Sequence, residues 1–346
     1  MPQKLVQTAA DYEVSATRTA RGRRFPLQST PEAGPLSGGF FTNTNILHVG
    51  LALATRDLVG LTPFLERKLA TTREPLLMGV VNTTPDSFYD GGKYVDPERA
   101  IELVDRLIGD GADIVDVGAE STRPGSTGVP ADEQIRRLEP ALRHAVARGV
   151  AVSIDTTLAD VARHALSLGA HIVNDVSCLA DPELARAAAE RGAVLVLMHS
   201  REPMSTLRGY SEYPDDAYRD VVADVLSEWR AARDRAVSVG VPASRVWLDP
   251  GLGFAKNARQ SFDLLRRLDV FTSEGVPVVV GPSRKSFITL VDAAPPAERL
   301  GGTIAACLHA TDRGARVLRV HDVREVRQAL AVTVAARTQW EALHAG

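Results

Sequence analysis

The chain has 346 residues, 45% of them hydrophobic and 24% charged, with a net charge of −3. This is the composition of a globular protein with a sizeable core, and its weak acidity offers no basic surface for nucleic acid. No stretch approaches the roughly 18 apolar residues of a membrane span. Residues 1–24 lack the apolar core of a secretory signal, and Asp11 and Glu13 argue against a transit peptide. The two cysteines, Cys178 and Cys307, show no metal-ligand spacing and fit small buried residues in a reducing cytoplasm.

Residues 1–74 carry no strong period. A turn-rich segment, Ser29 to Gly39, is followed by helix-like apolar spacing from Asn45 to Ala70, broken by glycines and a proline. This part is read as an N-terminal extension of unknown role, and residues 75–346 as the main domain. From Leu76 a unit recurs: a short apolar run, a polar residue, a loop and an amphipathic helix. The runs are LLMGVVN, DIVDVGAE, VAVSIDT, HIVNDV, AVLVLMH, VWLDPG, VPVVVGP and VLRVHD. Between them, Asp96-Pro97 and Asp181-Pro182 signal helix starts, and the segment Asp215–Gly240 predicts the longest helix. Continuous apolar runs alternating with such helices indicate a parallel sheet covered on its outer face. Eight units in about 270 residues favour an α/β fold of the (β/α)8 TIM-barrel type with an N-terminal extension. The rival, an open doubly wound sheet, usually carries a G-x-G-x-x-G turn after a strand, and none is present.

Barrel enzymes place their chemistry at the C-terminal ends of the strands. The runs here end on Asn82, Glu120, Asp155, Asn174 with Asp175, Met198 with His199, Asp249, Ser283 to Lys285, and Arg319 with His321. Any one strand-end Asp or Asn is more often a cap or turn residue than a ligand. A set that also includes Lys285, Arg319 and His321 is not a set of caps. Asp155, Asn174 and Asp249 suit a flat heterocycle that presents N–H and NH2 groups, whereas Lys285, Arg319 and His321 suit a phosphate or diphosphate. Asn82, on the strand that neighbours the last one in a closed barrel, falls on the anion side. A neutral oxygen beside phosphates is what Mg²⁺ accepts. The pattern predicts a pocket for a heterocycle carrying a diphosphate.

At these residues the sequence resembles dihydropteroate synthase. The resemblance rests on NTTPDSF (Asn82–Phe88), ESTRPGS (Glu120–Ser126), SIDT (Ser153–Thr156), NDVS (Asn174–Ser177), LMH (Leu197–His199), LDPGLGFAK (Leu248–Lys256), SRKSF (Ser283–Phe287) and RVHD (Arg319–Asp322). These motifs run in order from about Leu76 to about Ala335, and residues 1–74 lie outside them. The resemblance implies a Mg²⁺-dependent transferase of folate biosynthesis. It would join 6-hydroxymethyl-7,8-dihydropterin diphosphate to p-aminobenzoate by an SN1-like path, in a cytoplasmic homodimer. It also implies that Asp155, Asn174, Asp249 and Lys285 contact the pterin, with Met198 and Phe254 nearby. Asn82, Arg319 and His321 would meet the diphosphate and metal, and Thr122, Arg123 and Ser283 the p-aminobenzoate. Asp155, Lys285 and Arg123 would carry the catalysis, and the loop Thr83–Tyr94 would close over the site with the loop bearing Thr122 and Arg123. The chain departs from the family pattern at Thr83, Cys178, Ser200, Glu202 and Ala255. Two alternatives share the pterin acceptors: a pterin domain of the corrinoid methyltransferase kind, and a non-catalytic or altered-acceptor paralogue. The STRPG and SRKS loops argue against the first and the full catalytic set against the second.

Overall fold

The structure, a computed structural model, describes residues 63–84, 96–120, 128–203, 205–206 and 211–337. The strands are β1 (Leu76–Asn82), β2 (Ile114–Gly118), β3 (Ala151–Asp155), β4 (Ile172–Asp175), β5 (Val194–Met198), β6 (Val246–Asp249), β7 (Val279–Val280) and β8 (Val317–Val320). All pair in parallel, in the order β6-β5-β4-β3-β2-β1-β8-β7. A single parallel bridge, Leu248 to Val278, joins the two outer strands and closes the barrel. Each apolar run of the sequence contains one strand. The run Val276–Pro282 contributes least: only Val279 and Val280 pair as a strand, and Val278 makes the closing bridge.

Helices follow the strands as the sequence predicts. Asp96 caps the helix Pro97–Gly109 by accepting the Glu98 N–H at 3.0 Å, and Asp181 caps Pro182–Arg191 through the Glu183 N–H at 2.9 Å. The helix α6 (Val221–Ser238) is the longest among the described residues. None of the described helices is long and apolar enough to cross a membrane.

Side chains alternate along each strand with period two. One parity (Val115, Val117, Val152, Ile154, Leu195, Leu197, Leu318) joins the helices in the main core. The other parity points inward. Its lower layer is apolar and fully or almost fully buried: Leu76, Met78, Ile114, Ala151, Ile172, Val194, Trp247, Val279 and Val317. Two or four residues further along the same strands, still on the inward parity, stand Asn82, Asp116, Asp155, Asn174, Met198, Asp249 and Arg319. An apolar floor thus carries a polar storey at the C-terminal mouth.

The floor is sealed from below by helix α1 (Pro63–Thr71), whose Leu65 is fully buried among the inward residues. Lys68 reaches Asp113 at 3.0 Å, and Arg327, on the last helix α10 (Val323–Arg337), reaches the same carboxylate at 3.0 Å. Asp113 also accepts the Leu77 N–H at 2.8 Å, so one carboxylate ties the first and last described helices to β1. Truncation of Leu65 to Ala is expected to cost about 2–5 kcal/mol, the range for a cavity in a packed core. Urea unfolding of Leu65→Ala beside the wild type measures it.

Candidate active site

The polar storey and the loops above it form a narrow cleft lined by Asp155, Asn174, Val176, Met198, Asp249, Phe254, Gly281, Lys285 and Arg319. Seven of the residues assigned from sequence meet there. They come from the ends of β3, β4, β5, β6 and β8 and from the loops after β6 and β7.

The centre of the cleft is Arg319. Its Nε donates to Asp116 Oδ2 and its Nη2 to Asp155 Oδ2, each at 2.7 Å. Asn174 Nδ2 donates to the same Asp116 oxygen at 3.2 Å. Burial works against the guanidinium charge, but the two carboxylates hold it firmly charged. Burial also lifts Asp155 well above the ordinary carboxylate range, against the pull of Arg319, with Asp116, Asp175 and Glu120 adding to the lift. From sequence, Arg319 belongs with the anion-binding cations. In the structure it links that group to the acceptor group, because β8 stands two strands from β2 and three from β3, within reach of one guanidinium at the barrel mouth.

Asp249 ends β6, and its Oδ1 accepts the Gly251 N–H at 2.7 Å. Burial raises its proton affinity, and Lys285 opposes that. Lys285 donates from Nζ to Leu252 O at 2.7 Å and lies 4.3 Å from the centre of the Phe254 ring. Burial pushes its ammonium down to about 8, with Asp249 resisting. The loop that carries it is pinned by the preceding residue: Arg284 pairs with Asp322 at 2.6 Å and donates its N–H to Thr303 Oγ1 at 2.8 Å.

At the rim, Ser283 Oγ accepts the His321 N–H at 3.2 Å and lies 2.9 Å from His321 Nδ1. The hydroxyl thus holds the imidazole through Nδ1, and burial keeps the ring neutral, its pKa pushed down to about 4. Asn82 sits half-buried at the end of β1, level with Gly118 of β2, and β1 pairs with β8 on its other side. Thr122 and Arg123 lie outside the described residues, as does the loop Thr83–Tyr94 beyond Thr84. Asp175 serves the backbone instead of the cleft: its carboxylate accepts the N–H groups of Ser177 and Leu179, folding the turn after β4.

Sequence reading missed Asp116 and Gln134. Asp116 is fully buried on β2, hidden within the apolar run, and its position two residues after Ile114 was the available signal. Gln134, on the helix Ala131–Ala147, donates to Glu120 Oε2 at 2.9 Å and to Val129 O at 3.0 Å, and accepts from Thr156 Oγ1 at 3.2 Å. These contacts shape a second cavity of about 430 Å³ beside the cleft, bounded by Glu120, Gly128, Val129, Thr156, Thr157 and Val176 and sharing Asp155. Glu120 and Gly128 bracket the segment that holds Thr122 and Arg123.

A barrel with inward acceptors for a flat heterocycle, and with Lys285 and His321 above them, has the layout of a pterin-binding enzyme. The family model for "Pterin binding enzyme" matches residues 78–321. Dihydropteroate synthase of Mycobacterium leprae is 45% identical over 277 residues, spanning 78% of this chain and 94% of that protein. A probable bifunctional folylpolyglutamate synthase/dihydropteroate synthase of Haloferax volcanii is 44% identical over 262 residues, 75% of this chain; the match spans 30% of that longer protein. The structure of Xanthomonas albilineans dihydropteroate synthase with 4-aminobenzoic acid superposes with a TM-score of 0.69 at 40% identity, covering 77% of this chain and 94% of that one. The chain belongs to the dihydropteroate synthase family.

Replacing Arg319 by Met would leave Asp116 and Asp155 facing each other without a counter-charge. Loss of one partner from such a buried cluster is expected to cost about 3–5 kcal/mol. Chemical denaturation at pH 8 measures the loss, which should shrink as the pH falls and the uncompensated carboxylates take up protons.

Proposed function

We propose that this chain condenses 6-hydroxymethyl-7,8-dihydropterin diphosphate with p-aminobenzoate, releasing 7,8-dihydropteroate and pyrophosphate. The observation that carries the reading is the convergence of Asp155, Asn174, Asp249, Lys285 and Arg319 on one cleft. Asn174 and Asp249 offer acceptors to the N–H and NH2 edge of the pterin. Lys285 offers a donor to a ring acceptor, and Met198 and Phe254 wall the ring. Arg319 and His321 face the diphosphate.

The reaction breaks the bond between the pterin methylene carbon and the diphosphate oxygen, and the electron pair leaves with pyrophosphate. The electron-rich pterin stabilises the carbocation, and Asp155 supplies a buried negative charge beside it. The amine nitrogen of p-aminobenzoate then attacks the carbon and loses a proton. No protein nucleophile is needed. The second cavity, bounded by Glu120 and Gly128 on either side of the segment that carries Thr122 and Arg123, suits the aromatic amine. Closure of the two loops would keep water from capturing the cation.

Among the described residues no cluster of three His, Cys, Asp or Glu could cage a metal. A neutral amide oxygen at Asn82 fits Mg²⁺, which keeps most of its waters and borrows phosphate oxygens. When bound, Mg²⁺ would neutralise charge on the departing pyrophosphate, with Asn82 holding it from the protein side. The test is a turnover assay with both substrates and Mg²⁺, scoring pyrophosphate and dihydropteroate. Asp155→Ala and Lys285→Ala are each expected to lower kcat/KM on the order of 100-fold, and chelation of Mg²⁺ to suppress turnover. Binding of the pterin diphosphate by the wild type without product would overturn the reading.

The enzyme is proposed to act in the cytoplasm, consistent with its two free cysteines, and as a homodimer. Supporting the dimer is an apolar recess of about 450 Å³ between the helices Ala258–Arg266 and Leu300–Asp312, lined by Phe262, Leu265, Phe287, Ile288, Ala305 and Ala306. Leu290 and Val291 stand out beside it, 50% and 73% exposed. Val291→Arg is expected to shift the protein from dimer to monomer in light scattering, without lowering the melting temperature of the monomer fold.

A further inference from the structure

Behind the Phe254 wall lies a network of polar groups that the chemistry above does not use, running from buried Lys256 and His199 out to the surface at Glu228 and Arg201. Lys256 is 1% exposed, yet its Nζ donates to Phe254 O at 2.9 Å, His199 O at 3.2 Å and His199 Nδ1 at 3.0 Å. An ammonium only donates, so Nδ1 accepts and the ring proton of His199 sits on Nε2. That Nε2–H points to Glu228 Oε2 at 2.8 Å, on α6. Glu228 also receives Arg201, whose guanidinium lies 3.8 Å from the centre of the Tyr218 ring. Tyr218 Oη in turn donates to Ala255 O at 2.9 Å, one residue from Lys256. The circuit is closed: it leaves the loop at Lys256, runs through β5 and α6, and returns to the same loop at Ala255.

The loop it grips cannot hold its own shape cheaply. Gly251, Gly253 and Ala255 all have left-handed φ angles, of 70°, 77° and 48°. A side chain on Gly251 would place Cβ 2.1 Å from His199 O. Ala255, lacking the freedom of glycine, stays in this region at a cost of about 1 kcal/mol. Between these residues stands Phe254, packed against Met198 and Val176. The backbone carbonyls on either side of its following peptide, Phe254 O and Ala255 O, are the two that the circuit holds.

We propose that Lys256, with His199, Glu228, Arg201 and Tyr218, is a positioning clamp that fixes Phe254 and Met198 as the wall of the pterin slot. None of the five touches the reacting atoms. Their contribution is to the geometry of the wall, and through it to the affinity for the heterocycle. Releasing the clamp lets the loop relax toward ordinary backbone angles and carries the Phe254 ring away from the slot. This inference rests on the synthase reading for its kinetic test but not for its binding test.

The experiment compares Lys256→Met, Lys256→Arg, Tyr218→Phe and the double variant Lys256→Met/Tyr218→Phe with the wild type. It measures KM for the pterin diphosphate, kcat, melting temperature, and pterin diphosphate binding by calorimetry. Lys256→Met is expected to raise that KM about tenfold with kcat within about threefold, because wall contacts are made alike in ground and transition states. Lys256→Arg should restore part of the affinity. Tyr218→Phe should raise KM about threefold, and the double variant should resemble Lys256→Met alone, since both act on one loop. An unchanged KM in Lys256→Met, or a fall in kcat alone, overturns the clamp. If Lys256→Met does not fold, Tyr218→Phe decides, and a wild-type KM there overturns it. Should the wild type give no dihydropteroate, the synthase reading fails while the calorimetric comparison still tests the clamp.

Discussion

A guanidinium held between two carboxylates inside a barrel is the constraint on which the site depends. Asp116, Asp155 and Arg319 come from three strands, and the two carboxylates are buried near each other with the one guanidinium between them. Desolvating isolated charges costs several kcal/mol each, so the carboxylates tolerate burial through Arg319, with Asn174 adding a donor to Asp116 Oδ2, while Asp116 Oδ1 has no partner among the described residues. Once formed, the triad ties β8 to β2 and β3 past the intervening β1. The triad also sets a residual field: one positive charge against two negative ones, with Asp249 and Lys285 nearby as a second pair. That excess of negative charge suits the cationic pterin of the proposed reaction.

The placement of these charges follows from the two-residue period of the strands. The same parity that supplies Met78, Ile114, Ile172, Trp247 and Val317 to the floor supplies Asn82, Asp116, Asn174, Asp249 and Arg319 to the mouth. Stability and chemistry are thus stacked along one set of strands, in separate layers. The floor is closed by Leu65 and by the ties that converge on Asp113, remote from the substrates. Loops at the mouth can vary without disturbing the layer that holds the barrel together.

Much of this was legible in the sequence, for a definite reason. Strands buried on both faces read as unbroken apolar runs, and each run ends at its strand's end or within two residues of it. Strand-end residues were therefore found without any knowledge of contacts. What escaped were residues whose role depends on distant partners. Asp116 lies inside a run, and only Arg319 on β8, two strands away, explains its charge. Gln134 sits on a helix, and its three contacts come from the two loops after β2 and β3. The short β7 was overestimated because Val276–Val280 is as apolar as a longer strand, although few of its residues find a partner. The departures from the family pattern at Cys178 and Ala255 acquire a physical meaning only with the backbone in view: both adopt left-handed angles, where glycine fits without strain.

The closure of the barrel carries a further consequence. Every neighbouring pair of strands shares a ladder except β6 and β7, which meet at the single bridge from Leu248 to Val278. A cylinder with one weak stave opens there first. Amide protons near that seam should exchange with deuterated solvent ahead of those in the β1–β2–β3 wall, on the opposite arc. The seam also separates Asp249, at the end of β6, from Lys285, in the loop after β7. Breathing of the barrel wall would change the spacing of these two charges, and a ring bound to both, as proposed above, would act as the missing stave.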